Sequence, residues 1–131
     1  MKFLLIDDSE IELYVTSRLL DNAGLSTSVL TFLEAKDALS HLLTIKTEDQ
    51  HLPDVILLDI HMPTMSGFDF LDSYIQSFGS VLSKPISIII LSSTADQKDF
   101  EKAAKYSIVK GVFDKPLDTG RLKTLLEEIN T

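Results

Sequence analysis

The chain has 131 residues, of which 44% are hydrophobic and 24% charged, with a formal net charge of -8 and no cysteine. That size suits one domain, expected over residues 1–131, whose core needs no metal or disulfide staple, and the lack of cysteine excludes a disulfide scaffold, a thiolate zinc site and a cysteine nucleophile. The negative balance argues against direct nucleic-acid binding, no run reaches the ~18 apolar residues of a membrane span, and the apolar stretch after Met1 is too short for a signal peptide, so a soluble, cytoplasmic protein without a membrane partner is expected.

The first apolar run, Phe3–Ile6, is short and continuous, as suits a strand buried on both faces. Ser9 can cap the helix that follows, with Glu12 three places on completing a capping box. Ile11, Val15 and Leu19 recur at i, i+4 and i+8 along one face of that helix. Asn22-Ala23-Gly24 ends it, and Gly24 suits a left-handed position past the last turn. A weaker strand fits Thr27–Phe32, then a helix over Leu33–Lys46 with Leu39, Leu42 and Leu43 inward. The polar stretch Thr44–Pro53 leads to a second continuous run, Val55–Leu58. A third helix runs from Gly67 to Ser77, with Phe68, Leu71 and Ile75 on one side. Ile86–Leu91 reads as a strand, Ala95–Lys105 as a helix, Gly111–Phe113 as a weak strand and Leu117–Ile129 as a helix with Leu122, Leu125 and Leu126 inward.

Strict alternation of strand and helix predicts an α/β fold with a parallel sheet covered on both faces and right-handed crossovers. The expected class is a flavodoxin-like (βα)5 three-layer sandwich with a parallel five-stranded sheet in the order 2-1-3-4-5. Ligands then bind at the carboxyl ends of the strands, near the switch point between the first and third. Polar residues stand at each such place: Asp7-Asp8 after the first strand, Asp59 after the third, Ser92-Ser93-Thr94 after the fourth and Asp114-Lys115-Pro116 after the fifth. Each alone is ordinary turn or capping chemistry, and their convergence on one sheet edge is the informative point. Residues 1–72 hold 13 acids against four Lys/Arg, whereas residues 73–131 hold seven against eight. Three carboxylates drawn together repel, and a hard divalent cation such as Mg2+, which takes oxygen ligands, relieves that repulsion. One carboxylate can then act as a nucleophile toward a phosphoryl group while a lysine and a hydroxyl neutralise its oxygens.

With these pieces in order, the sequence resembles the receiver domain of two-component response regulators along essentially its whole length. The motifs are Phe-Leu-Leu-Ile-Asp7-Asp8-Ser, Asp54-Val-Ile-Leu-Leu-Asp59-Ile-His-Met-Pro63 with Ser66-Gly67, Ile-Ile-Ile-Leu-Ser92-Ser93, and Lys115-Pro116. The resemblance implies that Asp59 accepts a phosphoryl group from a sensor histidine kinase or a histidine phosphotransfer protein. It implies that Asp8 is a direct ligand of Mg2+ (or Mn2+), that Asp7 acts through water, and that Asp59 and the backbone carbonyl of His61 complete the protein ligands. Ser92 matches the switch hydroxyl, Lys115 the lysine that pairs with the phosphoryl group, and Ser93 a small position beside the site. The Lys115–Pro116 bond is expected to be cis. Phosphorylation is expected to bias a two-state equilibrium on the face made by the fourth helix, fifth strand and fifth helix. Lys98, Lys102, Lys105 and Lys110 fall there, either as a patch for an acidic partner or as a solvated face. The chain is expected to be a monomer or a phosphorylation-dependent dimer, with self-phosphorylation and autodephosphorylation as its only chemistry. It is either a stand-alone receiver or a piece of a longer protein, acting on an output protein that the sequence does not identify.

Some positions depart from the family pattern. An aromatic is usual three residues before the lysine, and here that place is Val112 with Phe113 next to it. The segment Tyr106–Gly111 lacks the common Gly-Ala pair. His61 and Thr94 sit where side chains influence dephosphorylation. His41 reads as a surface residue, His51 as a loop residue, and no second histidine stands at ligand spacing from His61. Met62 and Met65 read as loop packing. Competing readings are a degenerate receiver that only binds partners, an aspartate-nucleophile phosphatase and a nucleotide or flavin module. The first would have lost an acid, the acceptor or the lysine. The second wants an acid where His61 stands, and the third a glycine pattern that five scattered glycines do not build.

Overall fold

Residues 1–79 and 82–129 are described by a computed structural model. The alternation becomes five strand–helix units: β1 (Lys2–Ile6), α1 (Glu10–Asn22), β2 (Ser28–Phe32), α2 (Ala35–Ile45), β3 (Val55–Leu58), α3 (Gly67–Phe78), β4 (Ser87–Ser92), α4 (Gln97–Ala103), β5 (Val109–Asp114) and α5 (Thr119–Ile129). All strand pairs are parallel, in the order β2-β1-β3-β4-β5. β1, β3 and β4 are central and buried on both faces, which is why they read as unbroken apolar runs. β2 is an edge strand and largely exposed, so its signal is weak.

Pleating divides the apolar side chains between two layers. Leu4, Ile6, Ile56, Leu58, Ile88 and Ile90 pack with α2, α3 and Ala103 of α4. Phe3, Leu5, Val55, Leu57, Ile89 and Leu91 pack with α1 and α5. β5 hides its alternation because the ladder to β4 slips: Ile88 pairs with Val109 but Ile89 with Gly111. Lys110 is the extra residue of this bulge. Val109 and Val112 therefore both face the α2–α4 layer, and Phe113 faces α1 and α5 with the Arg121 guanidinium 4.7 Å from its ring centre.

Helix faces correct several expectations. In α1 the buried residues are Leu13, Thr16 and Leu20, while Ile11 is 74% and Val15 38% exposed. The helix carries apolar residues on two sides, and the side that meets the sheet includes a threonine that an apolar count passes over. Leu43 and Ile75 are exposed for the same reason. Their helices turn Ala35, Ala38, Leu42 and Ile45, and Phe70, Leu71, Tyr74 and Phe78, toward the core. His41 is half-buried rather than a surface residue, its ring tilted against Phe32 at 5.5 Å. Leu122 and Leu126 are buried and Leu125 packs at the edge of their cluster, as expected.

Caps set where the helices begin. Ser9 Oγ accepts from the Glu12 N–H at 3.3 Å, but the box is not reciprocal. The Ser9 N–H donates to Asp7 Oδ1 at 2.9 Å, which leaves the Glu12 carboxylate available elsewhere. Complete boxes stand at α3 (Ser66 and Asp69) and α4 (Asp96 and Asp99). Gly24, at φ +69°, follows α1 in the left-handed region where glycine is favoured.

Candidate functional site

The carboxyl ends of β1 and β3 are adjacent, and the register Ile6↔Leu58 puts Asp7 and Asp59 side by side one residue beyond them. Asp59 N–H donates to Ile6 O at 2.9 Å and Asp7 N–H to Phe32 O at 3.1 Å, so both residues leave the sheet on fixed backbone. Asp7, Asp8 and Asp59 each offer a carboxylate oxygen, and these oxygens lie within 4.8 Å of one another. Asp7 and Asp59 are buried, whereas Asp8 is exposed. At such separations each like-charged pair costs roughly 3–4 kcal/mol at an effective dielectric of about 20.

One cation partly offsets this repulsion. Lys115, just past β5, has its side chain 7% exposed, and its Nζ donates to Asp7 Oδ2 at 2.5 Å. The same Nζ lies 3.8 Å from Asp59 Oδ2 and 3.9 Å from Glu12 Oε2. The Lys115–Pro116 peptide bond is cis. Burial pushes the Asp59 carboxyl above its ordinary value, opposed by Lys115 and the His61 N–H and reinforced by the charges of Asp7 and Asp8. Glu12 is a fourth acid at the site. Its place in the chain suggested only a capping role, and the signal that could have marked it is its position one turn into the helix after the acidic pair.

Ser92 ends β4, opposite Asp114, and is wholly buried. Its Oγ accepts from the Thr94 N–H at 3.2 Å. Among the described residues no hydrogen bond or ion pair joins it to the carboxylates, so it is near the cluster in the fold without being tied to it. Ser93 and Thr94 are exposed on the same loop.

The main-chain N–H of His61 donates to Asp59 Oδ1 at 3.3 Å. Its ring Nε2 meets Asp99 Oδ2 at 3.0 Å, at the start of α4. Burial acts to raise the Asp99 carboxyl, but hydrogen bonds from the Asp96 N–H and the His61 ring outweigh it and hold that carboxyl below its ordinary value. No sequence spacing signals this contact between a loop and the first turn of α4, 38 residues apart. Met62 is buried in the core and Met65 packs against it. His51 is exposed. Gly67 begins α3 directly against the Asp59–Ile60 segment: a Cβ there would lie 2.7 Å from Asp59 O and from Ile60 Cα and Cγ2.

The donor set suits a small hard cation, with three carboxylate oxygens, two buried and one open to solvent, and no nitrogen or sulfur ligand among them. Among the described residues no helix is long and apolar enough to cross a membrane.

A family model described as the response regulator receiver domain matches residues 3–127. The chain is 30% identical over 129 residues to Protein PilH of Pseudomonas aeruginosa, covering 98% of this chain and 94% of that one. It is 33% identical over 97 residues to a protein-glutamate methylesterase/protein-glutamine glutaminase of Shewanella oneidensis, covering 74% of this chain and 24% of that protein. The chain thus spans about a quarter of the length of that longer relative. Among solved structures, a response regulator receiver protein from Dyadobacter fermentans superposes with a TM-score of 0.84 at 35% identity, covering 98% of this chain and 96% of that one.

Proposed function

The chain belongs to the response regulator receiver family, and from that premise we propose that it is a phosphoacceptor switch in which Asp59 takes a phosphoryl group from a sensor histidine kinase or a histidine phosphotransfer protein. The observation that carries this reading is the meeting of Asp7, Asp8 and Asp59 with the buried amine of Lys115 at one sheet edge. Asp7, Asp8, Asp59 and the backbone carbonyl of His61 would hold Mg2+ or Mn2+. The bound cation supplies positive charge against the carboxylates and the phosphoryl oxygens.

In this reading an Asp59 oxygen attacks the phosphorus of a phosphohistidine. The new O–P bond forms as the P–N bond breaks, and the electron pair of that bond stays with the departing imidazole, which takes up a proton. Lys115 moves its hydrogen bond from Asp7 toward the phosphoryl oxygens, and the Ser92 hydroxyl donates to one of them. Water later cleaves the acyl phosphate slowly, so the domain, taken as residues 1–131, is a timed switch in the cytoplasm rather than a turnover enzyme. Its output is another protein or another part of a longer chain.

Intact mass after incubation with acetyl phosphate tests the proposal. One added phosphoryl group that requires both Mg2+ and Asp59, and is lost in Asp59→Ala, is expected. An unmodified chain at early as well as late times would refute it.

A further inference from the structure

The acceptor and α4 are joined by a continuous polar path. Asp59 Oδ1 takes the His61 N–H at 3.3 Å, the His61 ring meets Asp99 Oδ2 at 3.0 Å, and that same oxygen takes the Asp96 N–H at 3.1 Å. Asp96 Oδ1 in turn caps α4 by accepting the Asp99 N–H at 3.0 Å. The His61 ring is half exposed, whereas the Asp99 side chain is 15% exposed and so sits in a fixed place.

α4 is the shortest of the helices and has the fewest buried residues. It has seven residues, Ala103 is its one buried residue, and Phe100 is 40% exposed. Lys102 adds a contact over the Phe68 ring at 4.5 Å. A short helix with so little buried surface lies at the low-stability end of a fold, where one hydrogen bond at its first turn weighs heavily. β5 offers no aromatic side chain on the α4 side of the sheet: Val112 faces that layer and Phe113 faces the opposite one.

We infer that the His61–Asp99 contact is the link through which phosphorylation of Asp59 reaches α4 in this chain. The inference rests on the receiver reading above. A phosphoryl group adds roughly -1.5 to -2 of charge and three acceptor oxygens, placed where the His61 N–H now donates to Asp59. The His61 peptide re-aims toward those oxygens, and its own ring carries the displacement to Asp99 and hence to the cap of α4. Such a path counts as coupling only if an element with two arrangements responds at its far end.

The test follows the α4 amide chemical shifts by NMR after adding acetyl phosphate and Mg2+, with intact mass giving the phosphorylated fraction of each sample. Shifts are compared per phosphorylated molecule. The unaltered chain is expected to show shifts over Gln97–Ala103. His61→Ala and Asp99→Ala should each lose most of them, and the double variant should lose no more than either alone, because both remove one interaction. Asp99→Ala leaves the Asp96 side-chain cap in place, whereas Asp96→Ala removes that cap but keeps the His61–Asp99 contact and should retain the shifts. Full α4 shifts in either single variant, additive losses in the double, or an equal loss in Asp96→Ala would each overturn the link. A phosphorylated wild type whose α4 does not respond would refute the link alone, and a wild type that takes no phosphoryl group would refute the receiver reading with it.

Discussion

Gly67→Ala tests how tightly the Asp59–Ile60 segment is built. The added methyl carbon would lie 2.7 Å from three atoms, two of them backbone. Carbon contacts settle at ~3.5–4.0 Å, so the neighbours would have to yield by about 1 Å. They are poorly placed to do so. Asp59 is pinned to β1 by its N–H to Ile6 O, Gly67 N–H is bonded to Ile60 O at 3.1 Å, and the Ile60 side chain is 2% exposed. Overpacking of this kind costs ~1–3 kcal/mol, and with two backbone atoms in the way the upper end applies. Alanine returns at most ~1 kcal/mol through its helix preference over glycine. The net loss is then about 2 kcal/mol, or roughly 6–10 °C in Tm for a chain of intermediate size. Urea unfolding with an unchanged m-value reads the loss directly. Because the clash falls on the Asp59 carbonyl, Mg2+-dependent phosphorylation should slow as well. Gly24→Ala is the control: it meets nothing within 4 Å but is strained at φ +69°, so it should cost ~1 kcal/mol without slowing phosphorylation. A Gly67→Ala variant within ~0.5 kcal/mol of wild type and phosphorylated at the same rate would refute the reasoning.

The remaining predictions concern charge and core. If the proposed site binds Mg2+ in the native state alone, the ion at about 100 times its Kd should add ~2.7 kcal/mol to stability; Asp8→Ala should abolish the gain in melts run with and without the ion. Asp59 has its carboxyl raised in the fold, chiefly by burial and further by the charges of Asp7 and Asp8. The folded state therefore binds this proton more tightly than the unfolded state, and the metal-free chain loses stability as pH rises from the ordinary carboxyl value of 3.8 through the raised one. Asp59→Asn should be more stable than wild type at neutral pH without Mg2+, and the difference should shrink below that window. Equal stability at both pH values would count against the charge argument. Phe113→Ala should cost ~3–5 kcal/mol by denaturant unfolding, yet under stabilising conditions it should still accept phosphate at Asp59, because its ring belongs to the α1/α5 layer.

How much the sequence revealed depended on whether a feature was local. The central strands were legible because burial on both faces leaves no polar alternation to misread, as in Val55–Leu58. β5 was legible only in its second half, since the bulge at Lys110 breaks the period of two. The buried side of α1 was not legible: a helix with Ile11 and Val15 on one side and Leu13 and Leu20 on another presents two stripes, and only the sheet decides between them. The acidic pair, Asp59 and Lys115 were legible because a parallel sheet collects its strand ends at one edge. Glu12 and Asp99 escaped notice because their partners, Lys115 and His61, come from distant strands and loops, and each also has a capping motif that accounts for it locally.

The position of Lys115 bears on how the proposed switch would work. The amine is bonded to Asp7, while Asp59, the buried acid with the raised carboxyl, holds it only at 3.8 Å. One lysine faces three carboxylates, Asp7, Glu12 and Asp59, with Asp8 close by, so the cluster is short of positive charge whichever acid it pairs with. A site balanced at rest would gain little from a cation and would resist rearrangement. An unbalanced one gives a cation and the lysine a strong electrostatic reason to regroup around new negative charge at Asp59. A ligand can shift an equilibrium only by its differential affinity for the two states, and here that difference comes from the charge the resting site leaves uncompensated. In the proposed switch Lys115 and the His61 peptide would be among the groups that move, and at rest both hold hydrogen bonds to aspartates of the cluster.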